Sequence, residues 1–124
     1  MFPHYETALL AGGDPDLLLL RSAMLASVGI WSVRVRNASQ ALQILDMVPC
    51  DLAVICYTFD QADEKRLLDA LRYRHGAVKI LHVVPGDDCS GSGFLHNVEE
   101  ALNAPAALPN AALEPSQASS RMIR

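Results

Sequence analysis

"TALLAGGDPDLLLL", Thr7 to Leu20, decides how the rest of the chain is read. A continuously apolar run, Thr7 to Ala11, suits a strand buried on both faces of a sheet. Gly12 and Gly13 end it. Asp14 is placed to cap a helix, and Pro15 suits a first helical position, where a missing N–H costs nothing. Leu17, Leu20, Met24, Leu25 and Val28 then recur at helical spacing as one apolar stripe. Gly29 is placed to end that helix as a C′ residue. The stretch is a strand, a tight turn and a helix.

The same unit recurs downstream. "IWSVRV", 30–35, alternates and carries β-forming residues. Arg34 and Arg36 put charge along it, as on an edge strand. Asn37 or Ser39 is placed to cap a second helix, with Ala41, Leu42, Leu45 and Val48 as its buried stripe and Pro49 closing it. "DLAVICY", 51–57, is apolar on both parities and predicts a central strand. A third helix is expected over 61–74, burying Leu67, Leu68 and Leu71. Its basic residues Arg72, Arg74 and His75 gather at the favourable C-terminal end, and Gly76 stops it. "VKILHVV", 78–84, is a fourth strand. "GDDCSGSG", 86–93, reads as loop, and "FLHNVEEALN", 94–103, as a very short strand running into a helix. Residues 104–124, rich in Ala, Pro and Ser, read as a flexible tail. Strands alternating with helices imply a parallel sheet with helices on both faces, its ligand edge at the strands' carboxyl ends.

The bulk properties bound the function. A chain of 124 residues, 51% hydrophobic and 19% charged, is one domain's worth with a real core. A net charge of −4 argues against a nucleic-acid partner. No secretory signal is visible, and no apolar run approaches the roughly 18 residues of a membrane helix. A cytoplasmic protein without membrane contact is expected. Cys50, Cys56 and Cys89 are odd in number and widely spaced, which fits neither a disulfide framework nor a metal motif.

In the runs "LLAGGDPDLLLLRSAMLASVG", "ASQALQIL", "PCDLAVICYT", "LLDALR" and "KILHVV", taken in order at these separations, the chain resembles the CheY-like receiver domains of response regulators. The resemblance covers 7–84, and 94–103 more loosely. It implies a flavodoxin-like three-layer α/β fold over 5–103, with a parallel sheet of order 2-1-3-4-5, shortened after the fourth strand. It also implies a two-component signalling role. In that family two acidic residues and an acceptor aspartate hold Mg²⁺ through oxygen ligands, with a Thr/Ser and a Lys completing the phosphoryl site.

Carried over one by one, the acidic pair falls on Gly12 and Gly13 and the acceptor on Cys56. The Thr/Ser position falls on Val84. The Lys position falls on Asn97, if "FLHNV" answers to the fifth-strand motif. All five are substituted. The expectation is a degenerate receiver that binds no Mg²⁺ or other cofactor and catalyses nothing. It would act through protein partners, a homodimer among the possibilities, and without phosphorylation. The 21 residues after Asn103 are too few for a DNA-binding output domain.

Other features carry competing readings. Asp14 and Asp60 are candidate ligands of a displaced metal site, or helix caps and turn residues together with Asp16, Asp63, Glu64, Asp87 and Asp88. Cys56, with Cys89, is a candidate redox sensor, or a small buried side chain; the sequence supplies no cation beside it to activate the thiol. The Gly12-Gly13 turn is a candidate phosphate or small-ligand cradle at a helix N-terminus, or a turn that needs positive φ. His82, inside the fourth strand, reads as a structural histidine.

Overall fold

In the computed structural model, residues 6–85 and 91–103 are described. The elements run β1 (Thr7–Ala11), α1 (Pro15–Ser27), β2 (Trp31–Val35), α2 (Ala38–Met47), β3 (Leu52–Cys56), α3 (Gln61–Arg74), β4 (Lys79–Val83) and α4 (Gly91–Asn103). The strands form one parallel sheet in the order β2-β1-β3-β4.

Side chains of the two central strands alternate between two cores. Ala8, Leu10, Leu52, Val54 and Cys56 join Leu18 and Leu25 of α1 and Phe94 and Val98 of α4 on one face. Leu9, Ala11, Ala53 and Ile55 join Ala41 and Leu45 of α2 and Leu67 and Leu71 of α3 on the other. Every residue of β1 and β3 is buried, which is why both read as unbroken apolar runs rather than as alternating ones. Arg34 lies on an edge strand, β2, as its charge implied.

The caps follow the sequence. Asp14 Oδ1 accepts from the amides of Asp16 (3.0 Å) and Leu17 (3.4 Å). Asn37, rather than Ser39, caps α2, its Oδ1 accepting from Gln40 N at 2.9 Å. Gly29, at φ +84°, closes α1. Its amide donates to Ala26 O (3.0 Å) and that of Ile30 to Leu25 O (3.0 Å), the paired bonds of a Schellman motif.

Three expectations are corrected. The buried stripe of α1 is Leu18, Arg21 and Leu25, while Leu20 and Val28 are 52% and 53% exposed. Leucines at all four positions 17–20 leave the helix phase unset by hydrophobicity, so packing chooses it. Second, residues 94–97 are helical: α4 begins at Gly91, and among the described residues no fifth strand follows β4. The order is 2-1-3-4, not 2-1-3-4-5. Phe94 and Val98, four apart, form the buried face of one helix. Third, His82 is not interior; its side chain is 50% exposed, with Nδ1 3.5 Å from Glu64 Oε2. Asp87, Asp88, Cys89 and the 104–124 tail lie outside the described residues.

Candidate functional site

The carboxyl ends of β1 and β3 lie side by side, with Ala11 paired to Ile55. The turn after β1 (Gly12, Gly13) therefore faces the loop after β3 (Tyr57, Thr58, Phe59). The two are joined: Gly13 N donates to Thr58 Oγ1 at 3.0 Å. The β3 loop is itself a tight turn, with Phe59 N donating to Cys56 O at 2.9 Å and Phe59 buried. Thr58 was not singled out from the sequence; a hydroxyl two residues beyond a strand carries no signal until the opposite turn is seen.

The glycines are required by closeness, not by φ. Neither has positive φ, so the expectation of a φ-driven turn is corrected. A Cβ on Gly13 would stand 2.4 Å from the carbonyl oxygen of Thr58, and that obstacle is backbone. A Cβ on Gly12 would meet Leu18 Cδ2 at 2.9 Å, Thr58 Oγ1 at 3.1 Å and Cys56 Cβ at 3.3 Å. The space that side chains would need at the two positions is already filled.

Cys56 ends β3, 1% exposed. The guanidinium of Arg21 rises from α1 to meet it, with Nη1 3.4 Å from Sγ. Arg21 is itself 2% exposed and lies over the ring of Phe94, its Cζ 5.7 Å from the centroid. The cation that the sequence did not supply to Cys56 comes from the buried face of α1. It was missed because an arginine in an apolar helix reads as a solvent-facing position. Burial pushes the Cys56 thiol up from its ordinary value, while the charge and hydrogen bond of Arg21 pull it down; burial wins. At neutral pH the group is a thiol accepting a hydrogen bond, not a nucleophilic thiolate. Cys50 precedes the other end of β3 and is half-buried.

The remaining candidate positions do not converge here. Val84 follows β4 and is 52% exposed. Asn97 lies within α4, so the condition on which it stood for the Lys position fails.

Mg²⁺ takes hard oxygen ligands, mostly carboxylates. At the three ligand positions stand two glycines and a thiol, a soft donor. The nearby acids are engaged elsewhere: Asp14 caps α1, and Asp60 Oδ2 accepts from the amides of Ala62 (3.0 Å) and Asp63 (3.2 Å) to cap α3. The residues present do not fit that ion.

Among solved structures, the signal receiver domain of an HD domain-containing protein from Pseudomonas fluorescens superposes with a TM-score of 0.69 at 18% identity, over 80% of this chain and 95% of that one. The fold is the response-regulator receiver fold. A receiver domain (CheY-like) from Methanospirillum hungatei gives 0.58 at 16% identity, covering 92% of this chain and 85% of its own. A sensor protein from Polaromonas sp. JS666 gives 0.59 at 26% identity, covering 80% and 78%. No family model matches the sequence, and no curated protein matches it. The receiver likeness is thus one of backbone, and the chemistry must be read from this chain's own side chains. Among the described residues, no helix is long and apolar enough to cross a membrane.

Proposed function

We propose that this receiver-fold chain is a two-component signalling module that works by protein–protein contact, with a conformation not set by phosphorylation. The observation that carries the reading is the closed turn. Gly13 is bonded to Thr58, and neither glycine has room for the carboxylate a metal would need. Phosphoryl transfer of the receiver type is mostly positioning and charge neutralisation by a metal and its ligands. Where the metal's charge would lie, the chain has a covalently fixed guanidinium against a thiol. The cation is part of the fold and cannot come and go.

A thiol-sensor reading is less well supported, because Cys56 is buried and its thiol pushed up rather than down. A ligand cradle at Gly12-Gly13 is disfavoured for the same reason as the metal, since Thr58 occupies the turn and Asp14 the helix N-terminus.

The test is a titration of the isotope-labelled chain with Mg²⁺ and beryllofluoride, an acyl-phosphate mimic. The amide resonances of Gly12, Gly13 and Cys56 to Phe59 are expected to stay in place. A saturable shift confined to those amides would overturn the proposal.

A further inference from the structure

The two edges of the sheet are built differently. Lys79 N donates to Asp51 O at 3.1 Å, so residue 79, and by the two-residue period 81 and 83, turn their backbone groups towards β3. Ile80 and His82 turn their N–H and C=O groups outward. Their side chains share the α3 face with Ala53 and Ile55, their partners in register. Ile80 is 40% exposed and the His82 side chain 50%. Among the described residues no strand pairs with this edge.

Edge strands of proteins that stay single are guarded, most often by charge. β2 is guarded by exposed Arg34, with Arg36 just beyond it. β4 is not. Its one formal charge, Lys79, is drawn aside, with Nζ 2.7 Å from Leu102 O at the end of α4. From Ile80 to Val84 there is no Lys, Arg, Asp or Glu.

We infer that the β4 edge is an interface for a second copy of this chain, paired antiparallel about a two-fold axis near His82. This goes beyond the function proposed above and does not depend on it. Charge favours a copy here. Two β2 edges would set Arg34 against Arg34, a repulsive pairing. Two β4 edges bring no like formal charges together, and each His82 arrives with Glu64 3.5 Å away, so the acid of one copy meets the imidazole of the other. Antiparallel pairing also sets the outward donors and acceptors of Ile80 and His82 against the same groups reversed. A seam of one short strand is small against a standard interface, so the dimer is expected to be reversible and concentration-dependent.

Sedimentation of the full chain from about 10 µM to about 1 mM should show a monomer–dimer equilibrium. Ile80→Lys should abolish the dimer, whereas Trp31→Lys, an exposed change on the β2 edge, should leave it intact. Hydrogen exchange on the unmodified chain reads the same seam without a substitution: the Ile80 and His82 amides should exchange more slowly as concentration rises. A monomer throughout the range overturns the inference. So does a dimer that survives Ile80→Lys, exchange at Ile80 and His82 that is indifferent to concentration, or protection of those amides only when an unrelated peptide is added.

Discussion

Arg21→Ala is expected to destabilise the fold by about 3 kcal/mol, as truncation of a large buried side chain does. Arg21 ranks among the largest fully buried side chains of the chain. It fills the space between α1, the end of β3 and the first turns of α4, touching Cys56 Sγ and lying over Phe94. Alanine removes that volume at the one place where both helices of this face and a central strand meet. It also removes the cation–π contact, about 1 kcal/mol or more when desolvated.

Arg21→Met separates volume from charge. Replacing a buried charge by an apolar group of similar size is often neutral, so this variant should stay within about 1 kcal/mol of the parent. Urea unfolding of the three proteins measures both. If Arg21→Ala costs no more than a surface change, about 0.5 kcal/mol, the packing role is wrong. If Arg21→Met is as damaging as Arg21→Ala, the charge rather than the volume holds the site.

Gly13→Ala should cost about 2 kcal/mol or more, in the upper range of overpacking, because its Cβ meets the Thr58 carbonyl at 2.4 Å and only backbone movement relieves that. Moving the loop stretches the bond from Gly13 N to Thr58 Oγ1 as well. Gly12→Ala should cost clearly less. Its tightest neighbour is the tip of Leu18, which turns aside more cheaply than backbone, although Cys56 Cβ at 3.3 Å resists. The ordering Gly13 above Gly12, read as midpoint shifts in urea, is the discriminating result. Equal and small costs would mean that the turn is open enough to take side chains, and with them a carboxylate pair.

Much of this architecture is legible in the sequence because the central strands are buried on both faces. "TALLA" and "LAVIC" contain no charge and do not alternate, and only an enclosed parallel strand has that composition. The caps are legible for a local reason: Asp14, Asn37 and Asp60 bind amides two or three residues ahead of them. The bounds of α3 were readable at both ends, with acids opening it and Arg72, Arg74, His75 and Gly76 closing it.

What was illegible is what depends on distant partners. Four consecutive leucines leave the phase of α1 open, and so hide Arg21. "FLHN" is apolar enough to suggest a strand, and only packing against α1 and β4 shows it to be a helical face. The Gly12-Gly13 pair has more than one conformational explanation until Thr58, forty-five residues away from Gly13, is brought beside it.

The most direct test of the closed, metal-free turn is the intact mass of the full chain after incubation with Mg²⁺ and acetyl phosphate, read before acyl phosphates hydrolyse. The chain should keep its starting mass at every time point. A stoichiometric gain of one phosphoryl group, mapped to an aspartate at the carboxyl edge of the sheet, such as Asp14 or Asp60, would contradict it.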